Sequence, residues 1–288
     1  MREACLTRCT GRSKLQGRAG QLLDVNVLAR LWPMWPEERR QLVQDIAGVQ
    51  TGLLYSDTSR DEREGWLPNT HFRVHTHSCL GVEIMEPGCS CAIKPAQGLR
   101  KGVPCGVRLD VHGRHVGGAC KAGGGRTRIH HSCKWRLASS LRQARLNVDC
   151  EVVVPELWDA EKGTAAVMDL VVSAPGGISR CLIDVRTLDS LGAHGFPSQG
   201  AALDDAASGK FRRYGATVWP FALELCGQLH AQAVQVLELL AGEAAQLPDA
   251  APAPLLVRRW RRALECALAF GVVEARRLSG LGRARRAA

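Results

Sequence analysis

Two acidic residues occupy matching places in neighbouring apolar runs. Asp169 follows Met168 and opens the run Leu170–Val172, while Asp184 closes the run Cys181–Ile183 and is followed by Val185 and Arg186. On adjacent strands they would present two carboxylates at one edge of a sheet. Paired carboxylates hold Mg²⁺, which polarises a phosphate and activates a water. Glu151, from a short preceding strand, is a third candidate acid. Arg186 and Lys210 are the candidate cations for positioning the water or stabilising developing charge. The chemistry would be metal-dependent phosphodiester hydrolysis. The competing reading is plainer: an Asp at a strand end commonly serves as a turn or cap residue.

A second group has the composition of a metal site. Cys105, His115 and Cys120 lie within one glycine-rich stretch, and His115 and Cys120 are four residues apart in the sense of an H-x4-C interval. Glycines at 106, 113, 117 and 118 let the backbone wrap tightly around a small ion. The fourth ligand is Cys91 or Cys89, and His130 is a further candidate. Thiolates with one imidazole in a tetrahedral set suit zinc, and four protein ligands make the site structural. The competing reading is a scatter of buried thiols. That reading is preferred for Cys5, Cys9, Cys133, Cys150, Cys181, Cys226 and Cys266.

These groups need elements to hold them. Residues 1–64 carry two amphipathic stretches, Leu22–Trp32 and Glu37–Val49, broken by Pro33 and Pro36. Residues 65–131 hold most of the Gly, Cys and His and have poor periodicity, so a metal is their expected organiser. Residues 132–247 form the expected α/β domain. Ser132–Leu146 has helical spacing in Trp135, Leu137, Leu141 and Leu146. Val152–Val154, Ala165–Ser173 and Cys181–Thr187 are of strand type, the last two joined by a turn at Pro175–Gly177. Ala201–Tyr214 is expected to be a helix ending at Gly215, and Thr217–Leu225 a strand at an edge or bulge because of Pro220. Leu229–Gln246 is an apolar helix. Residues 248–288 are expected to be a Pro/Ala linker at Pro248–Pro254, a basic amphipathic helix at Leu255–Leu278 and a tail.

Composition narrows the partners. The chain has 288 residues and a formal net charge of +10. From Leu255 to Ala288 there are nine Arg and two Glu, a net of +7. A basic surface favours nucleic acid. Met1–Thr10 is charged with no apolar run, and no stretch reaches the length of a membrane span, so no membrane partner is expected. The expected setting is a reducing interior, where clustered Cys and His serve as ligands or buried thiols. Trp66, His71 and Phe72 are a possible base-stacking platform, although packing is the simpler role for Trp66 and Phe72.

Several segments in order resemble the C-terminal region of non-LTR retrotransposon polyproteins that carry a restriction-like endonuclease. They begin with Gly65-Trp66-Leu67-Pro68-Asn69-Thr70-His71-Phe72-Arg73. Cys105-Gly106, Leu109-Asp110, Gly113-Arg114-His115, Cys120, Gly123-Gly124 and Arg128/His130 follow, and look like that family's Cys/His knuckle. Then come Val154-Pro155-Glu156, Met168-Asp169-Leu170-Val171-Val172, Ile183-Asp184-Val185, Ala207-Ser208-Gly209-Lys210 and Pro220-Phe221-Ala222-Leu223-Glu224.

The resemblance spans roughly residues 65–280 and rests on order and spacing. It implies a three-layer α/β restriction-endonuclease-like core of the PD-(D/E)xK type, with DNA cleavage supported by Mg²⁺ and a zinc knuckle that helps hold nucleic acid. It carries Asp169 and Asp184 over as metal-binding acids and Lys210 as the catalytic lysine. Nuclear localisation follows only from charge and from this resemblance.

Two departures qualify what it implies. Arg186 stands where a lysine is expected, and Arg cannot act as a base. No reverse transcriptase and no Asp-Asp polymerase box are present. Three functions therefore compete: a Mg²⁺-dependent DNA endonuclease, an inactive module binding DNA or RNA, and a relic. Arg126, Arg128, Arg212, Arg213, Arg258 and Arg259 are the arginines expected to contact nucleic acid.

Overall fold

A computed structural model describes residues 71, 88–95, 101–111, 115–116, 120, 122, 125–159, 162–175, 180–189 and 200–276. The two N-terminal amphipathic stretches, Cys5, Cys9, Trp66 and Phe72 lie outside the described residues. So does the Pro-Gly-Gly turn beyond Pro175.

The described core is mixed α/β. Helix α1 (Gly125–Gln143) leads into strands β1 (Asn147–Asp159), β2 (Thr164–Ser173) and β3 (Arg180–Leu188). Helix α2 (Ala201–Tyr214) then crosses to β4 (Val218–Glu224), and α3 (Ala231–Ala245) and α4 (Ala253–Arg276) close the chain. The sheet order is β1-β2-β3-β4, with the first three antiparallel and β4 parallel to β3. A parallel pair needs a crossover, and α2 supplies it.

Two features of the sheet follow from residue type. Pro220, on β4, pairs with Asp184, and β4 has no further strand beside it among the described residues. A residue without an N–H is tolerated on such an edge. β1 is longer than its Val152–Val154 run suggests, covering thirteen residues. It is the other edge strand, so Asp149, Glu151, Pro155 and Glu156 can sit in it with exposed side chains.

The core has two sides. Ile183, Val185, Phe221 and Leu223 pack with Ile129, Leu137 and Leu141 of α1, Val236 and Leu237 of α3, and Trp260, Leu264 and Leu268 of α4. On the other side, Leu182 and Val218 meet Tyr214, while Ala222 meets Leu203 and Ala206 of α2. The basic C-terminal helix is therefore a core element on its apolar face. Its apolar positions recur at helical spacing, and Arg258 and Arg259 fall on the exposed side. No described helix is long and apolar enough to cross a membrane.

Close approach of α1 and α4 depends on Gly271. A Cβ there would lie 2.9 Å from the Ile129 Cα and 3.2 Å from its Cγ1. Ser132 Oγ ties the same pair of helices by donating to the Ala267 carbonyl at 3.0 Å. Gly271→Ala gains roughly 1 kcal/mol of helix propensity. It also forces two helix backbones apart, and overpacking of this kind costs about 1–3 kcal/mol. The expected result is net destabilisation, read as a lower denaturant midpoint with an unchanged m-value.

Candidate metal centre and carboxylate cluster

The zinc-type ligands are assembled by a backbone pairing that bridges the long gap between the first two cysteines. Cys91 N–H donates to Val107 O at 2.8 Å, Cys105 N–H to Ile93 O at 2.8 Å, and Gly106 N–H to Cys91 O at 2.9 Å. Residues 91 and 105, distant in sequence, are thereby held side by side. Gly106 has φ 73°, a left-handed backbone that favours glycine.

The ligand atoms of Cys91, Cys105, His115 and Cys120 all lie within 4.8 Å of one another. Cys91 Sγ and Cys120 Sγ are 3.7 Å apart, and Cys105 Sγ is 3.3 Å from His115 Nε2. Zn–S bonds of about 2.3 Å at the tetrahedral angle place two sulfurs roughly 3.8 Å apart, and one sulfur and one imidazole nitrogen roughly 3.6 Å apart. The cluster therefore has the size and donor set for zinc. Asp110 Oδ2 accepts from the His115 backbone N–H at 3.3 Å and steadies that segment.

Crowding the thiols without a cation is unfavourable to thiolate. Burial, helped by neighbouring Cys120 and Cys105, pushes the Cys91 thiol up to about 12. Burial also raises Cys120 and lowers His115. A bound cation removes that penalty and displaces the thiol protons.

The choice between Cys89 and Cys91 is decided by geometry. Cys91 faces the cluster, whereas Cys89 contributes its carbonyl to Leu109 N–H at 2.8 Å and its thiol is outside the group. His130 is a correction. It is not in this set but on α1, with Nε2 3.2 Å from Asp169 Oδ1. The helix that begins at Gly125 carries it to the sheet. Of the cysteines expected to be plain buried thiols, Cys133, Cys181 and Cys266 are buried, and Cys150 and Cys226 are half-buried.

The acidic residues meet where the sheet opens. The β2–β3 ladder runs from Ser173↔Arg180 to Leu170↔Ile183 and stops there. Instead of a further backbone partner, Val185 N–H donates to Asp169 Oδ2 at 2.8 Å. In β1, Cys150 pairs with Leu170 and Val152 with Met168, which brackets Glu151 beside Asp169. Glu151 has φ 56°, an uncommon conformation for a residue with a Cβ.

Helices on both sides add cations. From α1, Lys134 pairs with Glu151 and lies 3.7 Å from Asp169 Oδ1, and its side chain is only 1% exposed. From α2, Lys210 Nζ is 2.5 Å from Asp184 Oδ2. Glu151, Asp169, Asp184 and Lys210 are thus brought together, with His130 and Lys134 joining them. Sequence reasoning missed Lys134, because a lysine in an amphipathic helix usually marks the solvated face.

The two aspartates are driven apart. Burial, assisted by neighbouring Asp169 and opposed by Lys210, raises the Asp184 carboxyl above its usual range. For Asp169, burial is outweighed by His130, the Val185 N–H and Lys134, which together lower it. One member holds its proton more tightly while the other stays ionised, a division of roles typical of functional carboxyl pairs.

Arg186 lies on β3 two residues from Asp184, and its buried Nε has no hydrogen-bond partner among the described residues. Arg213 is a further correction to the expected nucleic-acid contacts. Its Nε donates to Asp159 Oδ1 at 2.8 Å and its Nη2 pairs with Asp159 Oδ2, which pins α2 to the end of β1. Arg126 and Arg128 on α1, Arg212 on α2, and Arg258 and Arg259 on α4 are exposed. His71 is buried with its ring 4.5 Å from that of Phe270, so it packs in the core.

No protein-family model and no curated protein matches this chain.

Two predictions follow from these sites. Purified protein should carry one zinc per chain by metal analysis. Cys91→Ser and Cys120→Ser should each lower zinc affinity by at least about tenfold, while Cys89→Ser leaves it unchanged, since loss of a thiolate ligand removes both a bond and its charge. Asp184→Asn should raise the melting temperature at neutral pH. A carboxyl with a raised folded-state pKa favours folding when protonated and loses that contribution as pH rises through its folded value. The gain should therefore shrink as the pH falls and the parent Asp184 becomes protonated.

Proposed function

We propose that this chain is a nucleic-acid-directed protein with a metal-dependent phosphodiesterase site, of the retroelement endonuclease type that its sequence resembles. The observation that carries this reading is the cluster of Glu151, Asp169 and Asp184 from three strands, with Lys134 on the first two and Lys210 on the third. The fold supports it. A helix, a three-stranded antiparallel meander, a crossover helix and a parallel fourth strand form a core compatible with the PD-(D/E)xK type.

The residues fit a hard divalent cation in donor chemistry. Asp169, Asp184 and Glu151 are carboxylates, the ligand class that Mg²⁺ takes alongside water and phosphate oxygens. When bound, Mg²⁺ would supply Lewis acidity to the phosphate and a more acidic water. The chain supplies the rest. Lys210, paired with Asp184, would be the cation nearest a water or phosphate oxygen held there, with Asp184 and Asp169 as the residues that would hold the metal. Arg186 offers a guanidinium whose buried Nε has no partner among the described residues, which suits an anionic oxygen. His130 and the Val185 N–H fix the orientation of Asp169. The zinc cluster organises the segment ahead of α1, and the exposed arginines of α1, α2 and α4 supply phosphate contacts. Nuclear localisation belongs to this same proposal.

A second reading has its own support: the same fold acting as a binding module without catalysis. Lys134 and Lys210 already neutralise much of the carboxylate cluster, and an arginine stands where a lysine is expected.

Incubation with supercoiled plasmid and Mg²⁺ or Mn²⁺ separates the two. The nuclease reading expects nicking by the parent, with Asp184→Ala reduced at least about 100-fold while its DNA affinity is unchanged. Salt-sensitive DNA binding without nicking by either protein would leave the binding module.

A further inference from the structure

On the far side of the α1 residues that reach the carboxylates is a cleft of about 540 Å³ between α1 and α4. Its lining includes Arg128, His131, Trp135 and Arg136 from α1, with Phe270 and Glu274 from α4. The volume falls within the roughly 300–1,000 Å³ of sites that take a small organic group. Trp135 is the informative member. Its helical spacing with Leu137 and Leu141 suggests packing, yet it is 49% exposed whereas both leucines are buried. Lys134 accounts for part of this. Its ammonium lies 5.3 Å from the Trp135 ring centroid, a cation–π distance, so the indole is held against a fixed charge.

The same contacts join the cleft to the carboxylate cluster. Lys134, which touches Trp135, also pairs with Glu151 and approaches Asp169. His131, which lines the cleft, has its ring 5.6 Å from that of His130, and His130 bonds Asp169. A strand with its phosphate at the carboxylates therefore has the aromatic surface of Trp135 two side-chain contacts away, through Lys134.

We propose that this cleft receives an unpaired nucleotide next to the phosphate held at Asp169 and Asp184. The base stacks on Trp135, and Arg128 and Arg136 carry the adjoining phosphates. A base–aromatic stack needs an exposed π-face, so the site takes a base that is out of its duplex. The inference rests on the nucleic-acid part of the proposed function and adds a preference for single-stranded or frayed substrate.

The test uses the full chain with a short fluorescent oligonucleotide, as single-stranded DNA, the same sequence in RNA, and the DNA duplex. Binding is read by anisotropy at two salt concentrations. Matched thermal melts of the parent, Trp135→Phe and Trp135→Ala verify folding, which an exposed side chain should not disturb. The parent should bind the single strand more tightly than the duplex. Trp135→Ala should weaken single-strand binding by about 5- to 140-fold, from the usual worth of one stacked base, while Trp135→Phe stays within about threefold of the parent. The DNA and RNA arms show which strand is preferred.

Equal single-strand affinity of Trp135→Ala and parent overturns the cleft, even where plasmid nicking succeeds. Trp135-dependent capture of an acidic peptide in place of the oligonucleotide overturns it as well. Trp135-dependent strand binding without any nicking upholds the cleft and removes only the phosphodiesterase reading.

Discussion

The hydrogen bond from the Val185 N–H to Asp169 Oδ2 stands at the point where β2 leaves β3. A backbone donor in the interior of a sheet must find an acceptor, because leaving it unmet costs about 1–3 kcal/mol. Here a carboxylate takes the place of a strand. That substitution lets the sheet open without an orphaned N–H and fixes Asp169 in the opening. His130 holds the other oxygen of the same carboxylate. The remaining members of the cluster are arranged around a group that cannot move far.

The opening also explains why cations arrive from two layers. α1 lies against one face of the sheet and α2 against the other, and a continuous sheet would separate them. At the gap, Lys134 reaches Glu151 and Asp169 from α1, and Lys210 reaches Asp184 from α2. Buried charges are tolerated when each has partners, and here Lys134 and Lys210 supply them, although for Asp184 burial still outweighs its lysine. The cluster is thus held in place by mutual need, and a raised Asp184 beside a lowered Asp169 is its electrostatic consequence.

The zinc-type cluster works on a different principle. Among the described residues of the segment ahead of α1, Ile93, Leu109 and Val116 join the main core, and the thiols of Cys91 and Cys120 are buried beside them. A short backbone pairing brings the ligands together, and burial then disfavours the free thiolates. Such a segment gains most from a cation, since ligand deprotonation and local folding become one event.

Much of the element order was legible in the sequence. Ala201–Tyr214 ends at Gly215, whose φ of 71° is a backbone conformation that favours glycine and takes the chain out of the helix. Pro220 pointed to an edge or a bulge, of which the edge is found among the described strands, and the spacing of Cys105, His115 and Cys120 indicated three of the four clustered ligands. These are local matters of periodicity, backbone permissiveness and ligand type. Tertiary structure alone decided the others. Cys91 rather than Cys89 is chosen by a pairing across residues 91–107, and His130 goes to Asp169 because α1 begins at Gly125 and turns it toward the sheet. Lys134 is buried and Trp135 exposed, the reverse of what their residue types suggest. Which face of a helix is covered depends on where the opening in the sheet and α4 lie, and neither is encoded in the helix's own spacing.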